Sequence, residues 1–101
     1  MTNMPIDIRP LDRSIVETIL TERLPPRASV WVFGSRARPP ARKGSDLDLL
    51  VDVGRPLTRN ESFALDDAFE ESDLPYSVDI VDIHAVKGIF LENILKDRIP
   101  F

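Results

Sequence analysis

The sequence predicts an α+β fold: a small, mixed, three-stranded sheet with helices mainly on one face. Two observations carry this. Apolar residues recur at helical spacing in three separate stretches, and three short strand-like apolar runs, 29–33, 46–53 and 76–83, lie between them. The order is α-β-loop-β-α-β-α, without internal repeat or linker, so residues 1–101 are expected to form a single domain.

The elements follow in order. Residues 1–9 contain Pro5 and alternate weakly at Ile6 and Ile8, which suits a tail or a short edge strand. Leu11, Ile15, Ile19, Leu20 and Leu24 define a helix over about 10–24; Pro10 fits its first turn, and Pro25-Pro26 ends it. Ser29–Phe33 (SVWVF) reads as a buried strand stopping at Gly34. Pro39-Pro40 and Gly44 keep 37–44 irregular, with room for a short helix after Ser35. Asp46–Val53 is nearly continuously apolar, as a central strand should be. Thr58 and Glu61 have capping-box spacing before a helix over about 59–72 built on Phe63, Ala64, Leu65, Ala68 and Phe69. Tyr76–Ile83 is the third strand. A last helix over about 85–97 carries Ile89, Phe90, Ile94 and Leu95, before an Ile-Pro-Phe tail.

Composition narrows the function. With no cysteine there is neither a disulfide framework nor a thiolate metal site, which fits a reducing compartment. No apolar run approaches the ~20 residues of a membrane span and no signal pattern opens the chain, so a cytoplasmic location is expected. The net charge of −4 disfavours duplex nucleic acid as a partner. Its distribution says more. Residues 34–43 carry Arg36, Arg38, Arg42 and Lys43 and no acid, a local +4 that leaves −8 for the rest. A cationic loop is often just a solvated surface, but this one lies between a Gly-Ser turn and two acids.

That stretch, GSRARPPARKGSDLDLLVDV from Gly34 to Val53, is the candidate site. Backbone N–H groups of a Gly-Ser turn can hold anionic oxygens. Asp46 and Asp48, separated by one strand residue, point to the same face with side chains ~7 Å apart. An isolated pair of this kind more often marks an exposed strand face. Beside a phosphate-binding turn, it suits oxygen ligation of Mg²⁺ or Mn²⁺. A third acid would come from the third strand, where Asp79 and Asp82 face opposite sides. Val78 and Ile80 flank Asp79 with apolar surface, which favours it, because an acid so placed needs a partner or an ion. Asp52 lies ~13 Å beyond Asp48, out of reach of the same ions. His84 suits capping at a strand end, Trp31 and Tyr76 suit the core, and neither a Ser-His-Asp set nor a P-loop is present.

GS, ten residues, DLDLLV and a later SVDIVD resemble the minimal nucleotidyltransferases of the DNA polymerase β-like superfamily, over nearly the whole chain. The resemblance implies that Gly34 and Ser35 hold the nucleotide phosphates with Arg36 beside them. It implies that Asp46, Asp48 and Asp79 are the catalytic metal ligands for two Mg²⁺ ions, or Mn²⁺, with ATP as substrate. Pro39-Pro40 departs from the glycine common in relatives. Such proteins accompany a HEPN ribonuclease toxin as its antitoxin, and some transfer AMP to a tyrosine of that toxin. A cognate HEPN toxin in a hetero-oligomer is therefore the expected partner, and the chain leaves no residues for an acceptor-holding helical domain. The alternatives are an antitoxin that only binds its toxin, or a transferase acting on a small molecule or an RNA end.

Overall fold

The computed structural model describes residues 6–38, 41 and 44–101. Pro5, Pro39, Pro40, Arg42 and Lys43, all weighed above, lie outside them. Helix α1 spans Pro10–Arg23, β1 Ser29–Phe33, β2 Leu47–Asp52, α2 Arg59–Glu70, β3 Val78–Asp82, α3 Gly88–Asp97 and β4 Ile99–Pro100, with short 3₁₀ turns at Gly34–Ala37 and Ile83–Ala85. Each expected helix and strand is present, all but β1 one to three residues shorter than read from the sequence. The last helix starts three residues late, because the 3₁₀ turn intervenes.

The sheet has four strands rather than three, in the order β3-β2-β1-β4. β1 pairs antiparallel with β2 and β4, and β2 runs parallel to β3 through the α2 crossover. The fourth strand forms within the Ile-Pro-Phe tail. Phe101 N–H donates to the Val30 carbonyl at 3.0 Å. Arg13 of α1 then holds the end, donating to the Phe101 carbonyl at 2.7 Å and stacking on its ring at 4.3 Å. Proline is tolerated because β4 is an outer strand.

Alternation along β2 sorts its side chains. Leu47, Leu49 and Val51 are fully buried and join one cluster with Val16, Ile19 and Leu20 of α1 and Leu65 and Phe69 of α2. Asp48, Leu50 and Asp52 take the opposite face. There Leu50 and Ile94 of α3 are buried outside that cluster, and the Arg98 guanidinium just after α3 covers Trp31 at 4.7 Å from its ring centre. Two helices thus close one face, and α3 covers part of the other.

The buried stripe of α1 keeps Ile19 and Leu20 of the expected set, with Leu24 just after the helix, and adds Asp12 and Val16, while Leu11 is 68% exposed. In α2, Phe63 likewise points out. The Thr58–Glu61 capping box forms in full, with Glu61 also bound at both oxygens by Arg55. Replacing Leu49 by Ala should lower unfolding stability by about 2–5 kcal/mol, whereas Thr58→Ala should cost about 1 kcal/mol. Urea denaturation of the two variants checks this ranking.

Candidate active site

The pairing of β2 with β3 builds the site. Leu47 N–H donates to the Ser77 carbonyl at 2.9 Å, and the register that follows sets Asp48 directly beside Asp79. Neighbouring strands are ~4.8 Å apart, so the two carboxylates share one patch of surface. Asp46 precedes the first residue of β2 and is exposed at its entrance rather than held in the ladder. On the other side, Phe33 of β1 pairs with Asp48, and the chain turns at Gly34 straight across that carboxylate.

Gly34 has φ +74° and its backbone lies so close to Asp48 that a Cβ there would overlap Oδ2. Both features require glycine. The 3₁₀ turn it opens carries Ser35, whose carbonyl accepts from Arg38 N–H at 3.1 Å. The leading N–H groups of such a turn have no partner within it.

Burial is the largest cause that pushes the Asp48 carboxyl up to about 6, followed by repulsion from Asp79 and then Asp46, with a hydrogen bond toward Asp79 adding to it. The two other acids weighed above are committed elsewhere. Asp82 accepts from Leu57 N–H at 2.8 Å and His84 N–H at 2.9 Å. Asp52 accepts from Gly54 N–H and meets His84 Nε2, both at 2.8 Å, and the Gly54 bond leads in holding its pKa below the ordinary value. His84 is therefore tied to Asp52, away from the Asp48–Asp79 pair.

An oxygen-only donor pair, crowded and charged, fits a divalent cation such as Mg²⁺. Among the described residues no group of three or more His, Cys, Asp or Glu side chains encloses a common point. Phosphate oxygens and water would therefore complete the shell around Asp48 and Asp79, with Asp46 at its margin.

Arg36 departs from expectation. The family resemblance sets it beside the nucleotide phosphates, but its guanidinium is buried within the protein. Nε and Nη2 donate to the Ser45 carbonyl at 3.0 and 2.8 Å, Nη1 donates to the Asp7 carbonyl at 2.8 Å, and the group stacks 3.9 Å from the Tyr76 ring centre. Tyr76 in turn donates its hydroxyl to Asp12 at 3.1 Å, and Arg9 grips both oxygens of Asp12 at 3.0 and 2.9 Å. The Arg9 bond is the main reason the Asp12 pKa lies below its ordinary value, while burial is the main reason the Tyr76 hydroxyl is pushed up to about 12. Sequence reasoning missed this network. Its signal is that Asp12 falls in helical register with Val16, Ile19 and Leu20, and an acid on a buried stripe needs partners.

A glycine turn packed on paired carboxylates, beside a β-α-β core, is the arrangement expected of a nucleotidyltransferase. The chain belongs to the polymerase β nucleotidyltransferase family, whose model matches residues 16–100. It is 43% identical over 91 residues, covering 90% of this chain and 79% of the relative, to the probable protein adenylyltransferase MntA of Haemophilus influenzae. It is 34% identical to a solved, presumed minimal nucleotidyltransferase, with TM-score 0.66 and 88% of each chain covered. A toxin–antitoxin crystal structure with AMP-PNP shares the fold at TM-score 0.73 and 19% identity, covering 88% of this chain and 71% of that one.

Two outcomes follow from this geometry. The folded Asp48 carboxyl binds its proton more tightly than the ordinary 3.8, so its ionisation costs stability. That cost is absent below the unfolded pKa, grows as pH rises, and is fully present above about 6. Asp48→Asn should therefore be more stable than the native chain at pH 8, by about 1–2 kcal/mol after allowance for solvent screening. The gap should close near pH 4, read by urea denaturation at each pH. Gly34→Ala, by contrast, should lose at least about 1–2 kcal/mol at both pH values through backbone strain and displacement of Asp48, seen in the same titrations.

Proposed function

We propose that this nucleotidyltransferase transfers AMP from ATP to a hydroxyl, a tyrosine, of a cognate HEPN ribonuclease toxin, and so serves as its antitoxin. The observation that carries the catalytic part is the Asp48–Asp79 pair standing beside the Gly34 turn. The 43% identity to a probable protein adenylyltransferase supports AMP as the transferred group and a protein as acceptor. A toxin as partner is supported by the toxin–antitoxin complex that shares the fold.

In this reading the N–H groups of Gly34 and Ser35 hold the triphosphate, and Asp46, Asp48 and Asp79 supply the oxygen ligands for two divalent ions. Bound Mg²⁺ would neutralise phosphate charge and ease deprotonation of the acceptor hydroxyl. The acceptor oxygen bonds to the α-phosphorus, the bond to the bridging oxygen of the β-phosphate breaks, and pyrophosphate leaves. Asp79 lies on the outer strand β3 and is exposed, so it can meet the incoming hydroxyl and take its proton. Arg38, exposed and 3.7 Å from Asp97, is near enough to the turn to favour the departing charge.

Ile89 and Phe90 of α3 are 74% and 55% exposed, and α3 packs against the Gly34 turn. An apolar surface next to the site suits a protein acceptor, and it is also the feature that favours a second reading, neutralisation by binding alone. No described helix is long and apolar enough to cross a membrane. Co-expression with the toxin, followed by intact-mass measurement with ATP and Mg²⁺, separates the readings. The native chain should add one or more AMP units to the toxin, and Asp48→Asn should reduce this at least about 1,000-fold while still binding it. A stable complex with no mass shift from the native chain would favour binding alone.

A further inference from the structure

We infer that Arg36 is a positioning residue that fixes the mouth of the active site by tying together the segments that lead into β2 and β3. The inference rests on the reading of Asp46, Asp48 and Asp79 as cation ligands. Its guanidinium donates twice to the Ser45 carbonyl, which belongs to the peptide that delivers Asp46. One face of the same group lies on the ring of Tyr76, the residue before Ser77. Between these two anchors runs the bond from Leu47 N–H to the Ser77 carbonyl, the first rung of the parallel ladder that sets Asp48 against Asp79.

The third anchor is the chain ahead of α1. Nη1 donates to the Asp7 carbonyl, Asp7 N–H donates back to the Arg36 carbonyl, and the Asp7 carboxylate accepts from Ala41 N–H, each at 2.8 Å. Arg36, near the start of the cationic loop, therefore holds Ser45 just past the loop and the N-terminal segment at once. The Asp12 carboxylate completes the frame, holding the Tyr76 hydroxyl against the stacked guanidinium. A planar fork is needed here: two parallel N–H bonds to one carbonyl, a third in another direction and a flat face for the ring. Lysine offers a point charge with none of that geometry. This assignment differs from a phosphate contact in what it leaves untouched. A residue that binds phosphate is missed by the nucleotide itself, whereas one that holds Ser45 and Tyr76 is missed by the acids those segments carry.

The test uses the full chain with Arg36→Lys, and with Tyr76→Leu as a second variant that keeps the arginine but removes its stacking surface. Three quantities are read: exchange of the Leu47 amide by NMR, Mn²⁺ affinity by the free-ion electron resonance signal, and affinity for a fluorescent ATP analogue in EDTA. Both variants should speed Leu47 exchange at least tenfold and weaken Mn²⁺ at least tenfold, with nucleotide affinity in EDTA changed less than twofold. In an Asp46→Asn background, Arg36→Lys should weaken Mn²⁺ by much less than it does alone, because part of its effect runs through Asp46. Unchanged Leu47 exchange with a tenfold loss of nucleotide affinity in EDTA would overturn the inference and return Arg36 to the phosphates. If the native chain binds no Mn²⁺, the cation reading fails, and Leu47 exchange alone still decides whether Arg36 holds the mouth.

Discussion

Two carboxylates that repel each other stand side by side because β2 and β3 pair in parallel with Asp48 beside Asp79. Most of what is distinctive in the chain keeps them there. The buried face of β2, Leu47, Leu49 and Val51, is anchored under α1 and α2, so the strand cannot slip by one residue without exposing its apolar set. Gly34 brings backbone against Asp48 from the β1 side, which raises the burial of the acid and with it the free energy of its ionised form. In the proposed reading, a divalent cation with phosphate oxygens around it would relieve that cost, so the repulsion within the pair would favour binding.

The same arrangement explains why the three acids of the site are not equivalent. Asp48 is held within the sheet, Asp79 is exposed on the outer strand, and Asp46 sits just before β2. Half-buried Asp48 sets where the charge of the pair sits, and Asp79 is open to solvent at the sheet edge. The other aspartates near the sheet, Asp52 and Asp82, have the same chemistry but are occupied by backbone N–H groups and His84. Hydrogen bonding, not residue type, separates structural from available acids in this fold.

Much of this was legible from residues alone. Helix and strand identities came through because their apolar periods are long and their stops, Pro25-Pro26, Gly54 and Pro75, are unambiguous. The turn and the D-x-D were legible because both are local. What escaped depends on distant partners. The strand at Ile99–Pro100 is two residues long and exists only because β1 and Arg13 receive it. Leu11 and Phe63 looked like core from spacing and are exposed, since the direction of burial is set by which helix packs against which. Arg36 counted toward a cationic loop, yet its charge is absorbed by two carbonyls and an aromatic ring that lie far away in sequence.

In the proposed reading, Asp48 and Asp79 together hold a divalent cation beside the Gly34 turn. Anomalous diffraction from crystals grown with Mn²⁺ and a non-hydrolysable ATP analogue tests it directly. A manganese peak is expected within ligand distance of both carboxylates, with the triphosphate lying on Gly34 and Ser35. A peak elsewhere, or nucleotide bound at full occupancy with no ion between Asp48 and Asp79, would contradict it.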